Sequence, residues 1–381
     1  KKCPLNVCCS EQGFCDTSEA LCKNKVKRPS CTLGKSVNRV MGYFESWSMR
    51  ERACFNMRAE AVPYGLYTDV IFSFATIHPD TYKVTAGSNE GGWDMRFIST
   101  IKLFQPNVRL WVALGGWAFN SPGPTQTTFS DIAASKTKTK TFLDSLASVM
   151  TEYSFDGVDI DWEFPVAEDR NNGLRPQDYK NMVTFMRRLR SRMEKMKKMT
   201  SMAIPASYRY LQYFDIKALE DTVDWFNFMS YDMHGSWDIN NEWAGPWANS
   251  HTNMTEIQQG LDLLWRNDIN PAKVTMGMSY YGRTFTLTNP EVCNSSGLGC
   301  RVSSAGNPGR CSWIAGILLH PEIVEIVKER GLSPQLHEDA AVKTVLWDSN
   351  QWTSFDDVET WRLKADVARS QCIDGFAVWA M

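Results

Sequence analysis

The sequence predicts an α/β protein: a (β/α)8 TIM barrel with a small α+β insertion after the seventh strand and a short disulfide-rich N-terminal segment. Short apolar strands alternate with amphipathic helices along most of the chain, the pattern of a parallel sheet covered by helices. The residues with chemistry in them fall at the C-terminal ends of those strands, where such a barrel keeps its site. The third observation is the crowding of Cys3, Cys8, Cys9, Cys15, Cys22 and Cys31 into a stretch too short to bury a core.

Taken in order, residues 1–31 read as a disulfide knot, which implies secretion. Zinc is the weaker alternative, because no His lies there and the adjacent Cys8 and Cys9 lack finger spacing. Residues 23–28 are a basic linker. The first three barrel strands are expected at residues 39–47, 70–75 and 109–117. Phe142, Leu146, Val149 and Met150 recur at helical spacing, so residues 137–153 form a helix. Residues 155–165 are the fourth strand. A helix starting at Pro176 has Met182, Phe185, Met186, Leu189, Met193 and Met196 on one face, and its basic run over 187–198 is a solvated surface. Strands five to eight are expected at 201–205, 225–232, 274–283 and 375–379, with helices at 255–265 and ending at Gln371. The alternation breaks between Arg283 and Trp347, where Gly, Ser and the cysteines 293, 300 and 311 are frequent and 321–330 is one helix. The barrel is therefore assigned to 36–381 and the insertion to 284–346.

Lys plus Arg (41) nearly balance Asp plus Glu (43), which removes the electrostatic reason to expect nucleic acid. No apolar run is long enough to span a bilayer and no signal peptide is present, so no membrane partner is expected. The opening Lys1-Lys2-Cys3 reads as that of a mature or trimmed chain. With 15 Trp, 12 Tyr and 19 Phe, stacked aromatic faces for a sugar are plentiful. The sequons at Asn253 and Asn294 fit secretion.

The fourth strand carries the chemistry. In Phe155-Asp156-Gly157-Val158-Asp159-Ile160-Asp161-Trp162-Glu163-Phe164-Pro165, apolar residues alternate with Asp159, Asp161 and Glu163, and Pro165 ends the run. Residues two apart on a strand share a face, so these carboxylates form a ladder. Stacked carboxylates in a low-dielectric site cannot all ionise, and one that keeps its proton can act as a general acid. A solvated acidic edge fails because the partner face is too apolar. A calcium loop, which needs a mid-loop glycine and a distal glutamate, fails because the intervening residues are strand formers.

This segment resembles the D-G-x-D-x-D-W-E signature of glycoside hydrolase family 18, the chitinases, with Phe164 where Tyr is usual. Matching segments recur from Val40 to Trp379. The resemblance implies a substrate-assisted, retaining mechanism. Glu163 would be the general acid, Asp161 would hold the acetamido group of the substrate, and Asp159 would share a proton with Asp161. Tyr231, in Met229-Ser230-Tyr231-Asp232, would bond the acetyl oxygen, and Asp232 a sugar hydroxyl. Trp379, Tyr43 and Phe74 would form the aromatic floor, with Gly116, Trp117, Met229, Tyr281 and Arg283 as further substrate contacts. Asp156 lies on the other parity and reads as structural. No metal or cofactor is implied. The ligand would be chitin or chito-oligosaccharides, and the protein an extracellular monomer.

Cys3-Pro4-x3-Cys8-Cys9-Ser10-x2-Gly13-Phe14-Cys15 resembles the hevein-type chitin-binding module, implying pairs Cys3–Cys15 and Cys8–Cys22. The module's first cysteine, partner of Cys9, would lie upstream of Lys1; Cys9 is then free or bonded to Cys31. Joined to this barrel, the segment resembles the fungal killer-toxin-like chitinases. Ala113 stands where the family has Ser, Ala377 where it often has Met, and the customary acidic residues after the eighth strand are missing. A chitin-binding lectin or effector with little turnover, and an endo-β-N-acetylglucosaminidase, remain the alternatives to a chitinase.

Overall fold

The computed structural model describes residues 3–17, 22, 26–32, 37–63, 65–87, 89–167 and 175–381. Residues 23–25 of the expected linker and Ser36, the expected start of the barrel, lie outside the described residues. In chain order the strands are β1 (Cys8–Cys9), β2 (Cys15–Asp16), β3 (Arg39–Glu45), β4 (Asp69–Ile77), β5 (Val84–Thr85), β6 (Arg109–Gly115), β7 (Gly157–Asp161), β8 (Met199–Pro205), β9 (Trp225–Met229) and β10 (Val274–Ser279). Then follow β11 (Tyr281–Leu287), β12 (Val302–Ala305), β13 (Ile317–Leu319), β14 (Gln335–His337), β15 (Val342–Trp347), β16 (Gln351–Phe355) and β17 (Gly375–Trp379). The parallel strands run β3-β17-β10-β9-β8-β7-β6-β4, and β4 pairs back with β3, so the barrel closes; β5 adds antiparallel to β4.

Both faces of each barrel strand are buried, which is why the strands read as apolar on both parities. On β7, Val158 and Ile160 join the layer between sheet and helices. The opposite parity faces the barrel interior, where Met41, Tyr43, Ile71, Trp111, Ala113, Trp225 and Ala377 form a separate cluster. Gly157 is bare because Trp111 lies over it: a Cβ there would come within 2.3 Å of the indole. At the N-terminal ends of the strands, Asp69 accepts hydrogen bonds from Arg109 Nε (2.6 Å) and Trp111 Nε1 (2.8 Å).

Five expected strands end earlier than their sequence pattern, two of them, β3 at Glu45 and β6 at Gly115, by two residues. β7 stops at Asp161, not at Pro165, because pairing with β6 ends at Gly115–Asp161 and with β8 at Ile160–Met202. β9 stops at Met229, so Tyr231 and Asp232 lie beyond the sheet. The stretch 274–283 is two strands, since the Tyr280 amide turns to bond Trp379 O and the chain then enters a second sheet. Tyr281 and Arg283 therefore belong to β11. The helix expected from Pro176 begins at Asp178.

The second sheet has the order β12-β11-β16-β15-β14, with β13 on β11, and carries the helix His320–Glu329. Its two sides are filled by Phe285, Leu287, Val302 and Trp352, and by Leu318, Ile323, Val345 and Phe355. It reaches from Tyr281 to Phe355, beyond 284–346 on both sides. Cys54–Cys311 ties it to the loop after β3.

The N-terminal segment holds Cys3–Cys15 and Cys8–Cys22, while Cys31 pairs with Cys372 and Cys9 is free. Leu5 and Val7 are buried against the barrel, and Asn267 donates to Leu5 O (3.0 Å). Arg28 grips Asp262 with two bonds of 2.8 and 2.9 Å. These contacts lie along and just past the C-terminal half of the helix Met254–Trp265, which runs back from the C-terminal strand ends. The segment thus sits toward the opposite end of the barrel from the carboxylates.

Candidate active site

Asp159 and Asp161 project from β7 into the barrel mouth, and Glu163 follows in the bend beyond it. Asp159 is fully buried and saturated. It accepts from Ser201 Oγ (2.7 Å), Tyr43 Oη (2.9 Å) and Asn227 Nδ2 (3.0 Å), and Asn227 in turn accepts from Thr275 Oγ1 (2.7 Å). Burial raises its carboxyl, and these three donors oppose the rise. Asp161 has no such relief: its Oδ1 is buried without a hydrogen-bond partner. Burial, then the charges of Glu163 and Asp159, push Asp161 well above the usual carboxylate range. The group keeps a proton where an ordinary aspartate has lost it.

Tyr231 faces this cluster. Burial, then Asp161, Asp232, Glu163 and Asp159, raise its phenol, so it remains an O–H donor. Tyr43 is raised in the same way, by burial first and then by Asp159. Tyr43 meets Trp379 edge-on at 5.4 Å, and Phe74 lies 5.8 Å from Trp379, making one aromatic surface. Gly116 has φ +81°, and a Cβ there would strike the Phe74 ring at 2.7 Å. Trp117 stands at the rim, 55% exposed. Met229, half-buried, ends β9. The peptide bonds Ser73–Phe74, Glu163–Phe164 and Trp379–Ala380 are cis.

Across the mouth stands a different arrangement. Asp232 accepts from Arg283 Nε (2.8 Å) and Tyr281 Oη (2.7 Å), and Arg283 Nη2 lies 2.7 Å from its other oxygen. The surrounding walls would raise the Asp232 carboxyl, but Arg283 overrides this and holds it well below the usual range. Arg283 also lies 4.7 Å over the Trp237 ring.

All thirteen residues expected from the sequence stand at or around the C-terminal ends of the barrel strands. Sequence reasoning missed Ser201, Asn227 and Thr275, which fix Asp159, and Trp47, Trp237 and His251, which lie beside the expected residues. Asn227 left a signal: a polar residue between Phe226 and Phe228 in a buried strand needs a partner. Asp156 is structural as read, accepting from the Leu110 amide (2.9 Å) and pairing with Lys102 (2.6 Å).

Several known proteins are similar to this chain. A secreted chitinase, LysM12, of Penicillium expansum is 27% identical over 99% of it, and the killer toxin subunits alpha/beta of Kluyveromyces lactis are 29% identical over 85%. The chain spans 27% and 28% of the length of those two proteins. A Group IV chitinase of Ostrinia furnacalis superposes with a TM-score of 0.78 over 90% of this chain and 92% of that one, at 24% identity. Human YKL-39, described as a pseudo-chitinase with retained chitooligosaccharide binding, gives 0.77 over 90% and 92%, at 20% identity. Those two likenesses speak for the barrel alone. The family match goes further, because it covers residues 39–381 and so takes in every barrel strand, the second sheet and all the carboxylates of the mouth. On that match the chain belongs to the glycosyl hydrolases of family 18.

Proposed function

We propose that this chain hydrolyses β-1,4-linked N-acetylglucosamine polymers, using the acetamido group of the substrate as nucleophile. The observation that carries this reading is the pair of Asp161 and Glu163: a buried carboxyl with an unpartnered oxygen, pushed up by burial first and then by the carboxylate two residues on, so that the pair keeps a proton between them. Glu163 gives its proton to the glycosidic oxygen as that bond breaks. The acetyl oxygen attacks the anomeric carbon and forms a cyclic oxazolinium ion. Asp161 accepts from the acetamido N–H and spreads the positive charge, while Tyr231 donates to the acetyl oxygen. Water, deprotonated by Glu163, then opens the ring with retention. Asp159 acts on Asp161 through its charge. Asp232, Arg283 and Tyr281 bind sugar hydroxyls, and Trp379, Tyr43, Phe74, Gly116, Trp117 and Met229 form the bed for the rings. The barrel needs no metal or cofactor for these steps.

Five disulfides among the described residues and the relative named as secreted support an extracellular protein. We assign the chain to the fungal killer-toxin-like chitinases, and residues 1–31 to a truncated hevein-type module whose exposed Phe14 offers one stacking face. The sheet around 284–346 walls the cleft.

Tetra-N-acetylchitotetraose is the test substrate. The parent chain cuts it, fully deacetylated oligomers resist, and Glu163→Gln binds it but loses turnover by ~10²–10⁴-fold or more. A parent that binds the tetramer without cutting it would make this a lectin. A covalent glycosyl adduct on Asp or Glu would replace the acetamido nucleophile by a carboxylate.

A further inference from the structure

We propose that His251 is a positioning residue for Asp232: as the neutral tautomer with its proton on Nε2, it accepts the Asp232 backbone N–H at Nδ1 and holds that residue in the conformation that meets Arg283. The proposal rests on the reading of Asp232 as a sugar-hydroxyl contact. Asp232 has φ +58°, a left-handed backbone that Asp tolerates better than most residues but that still favours a partner to hold it. Its amide lies 3.4 Å from His251 Nδ1, and the same nitrogen lies 3.5 Å from Asp232 Oδ1. Of these two groups only the amide has a hydrogen to give, so a bare Nδ1 is matched to the backbone N–H. The His251 ring has no exposed surface and packs 5.0 Å from the Tyr281 ring, the other donor to Asp232. Met233 N bonds His251 O (3.2 Å), so the two segments are tied on both sides of the imidazole.

The charge balance selects the neutral ring. Asp232 already has Arg283 as its counter-charge at 2.7 Å, and a second buried cation would face that guanidinium. Burial, with Arg283 adding to it, holds the imidazole below its ordinary value against the pull of Asp232 and Asp356. A proton on Nδ1 would also remove the acceptor from the Asp232 amide. Nε2 must then carry the hydrogen, and it is buried without a partner, a cost that a ring placed merely to fill the core would avoid as Phe or Leu.

Two variants separate positioning from packing. In His251→Asn the side-chain oxygen stands near the place of Nδ1; in His251→Phe the ring and its contact with Tyr281 remain and the acceptor is gone. With tetra-N-acetylchitotetraose, His251→Phe raises KM by roughly tenfold with a smaller change in kcat, the loss of about one hydrogen bond, and His251→Asn stays within about threefold of the parent. In an Asp232→Ala background, His251→Phe adds nothing further. Nitrogen-15 shifts of the parent show Nδ1 bare and Nε2 protonated across pH 5–9, a measurement that needs no substrate. A proton on Nδ1, a KM for His251→Phe equal to the parent's, or equal losses with and without Asp232 would overturn the proposal. A parent that neither binds nor cuts the tetramer defeats the chitinase reading instead, and the tautomer then decides the role of His251 alone.

Discussion

Asp161 and Asp232 stand at one barrel mouth and lean opposite ways. Asp161 comes from a barrel strand among other carboxylates, has an oxygen without a partner, and holds its proton. Asp232 lies past the end of β9, receives Arg283 and Tyr281 from β11, and stays ionised. The difference lies in where the cation comes from. The strands of the barrel send a phenol, a hydroxyl and an amide to Asp159 but no Lys or Arg. The second sheet supplies the guanidinium on the other side. One wall of the mouth is thereby set to move protons and the other to hold a fixed charge.

The largest effect expected from breaking this contrast is at Asp161. Asp161→Asn keeps the shape and removes the charge, so turnover on N-acetylated oligomers falls by ~10²–10³-fold. Stability should move the other way. A carboxyl raised by folding contributes most below its unfolded value, and that contribution is lost as pH rises through the raised one. At pH 8 the parent bears the cost of this group and the Asn variant does not. Thermal melts should show the variant gaining on the parent by more at pH 8 than at pH 4. A variant that melts lower at pH 8 would mean that Asp161 is not held against its charge.

The next effect is at the other wall. Arg283→Met leaves Asp232 with Tyr281 and His251, and its carboxyl returns toward the ordinary range. A depressed carboxyl keeps its charge until pH falls through the folded value, so the parent's KM should stay flat down to mild acid. The variant should show a KM roughly tenfold higher, rising further as pH drops toward about 4. A KM that rises equally in both proteins on the acid side would remove Arg283 as the cause.

The same contrast marks what was legible in the sequence. The barrel was readable because its strands are short apolar runs on both parities, and residues 375–379 match β17 end to end. The carboxylates were readable because three acids in a buried strand have no packing explanation. The strand ends were not, because the alternation of Asp161, Trp162, Glu163 and Phe164 continues after the sheet hydrogen bonds stop. The split between β10 and β11 was hidden for a similar reason: 274–283 has no Pro, Asn or Asp to mark a turn, and only the third dimension shows that Tyr281 and Arg283 face Asp232 from a second sheet. Cys31–Cys372 and Cys54–Cys311 join residues 341 and 257 positions apart, which no spacing rule reaches. Trp237 sits in a single 3-10 turn and His251 in a loop, neither with a period to read.

The smallest effect on turnover is expected at His234, which sharpens the contrast from the side of fixed charge. Its Nδ1 lies 2.8 Å from Asp238 and its Nε2 2.8 Å from Glu256, so it joins the turn bearing Trp237 to the first turn of the helix Met254–Trp265. Burial would lower the imidazole, but Asp238 and Glu256 override it and bring it to about 9. A cation between two carboxylates is thus present across neutral pH, on the wall that already carries Arg283. Raised folded values of this kind stabilise fully below the unfolded 6.5 and lose their contribution as pH rises through about 9. His234→Gln retains a donor without the charge, at a cost on the order of 1–3 kcal/mol. It should melt below the parent by a constant margin up to pH 6.5, and the margin should close beyond pH 9. Turnover near neutral pH should change by no more than about threefold, since the Trp237 turn is also fixed by its own backbone bonds, Asp238 N to Gly235 O and Asn241 N to Asp238 O. A margin that persists unchanged above pH 9 would show that His234 acts by its size, and would leave Arg283 as the fixed charge on that wall.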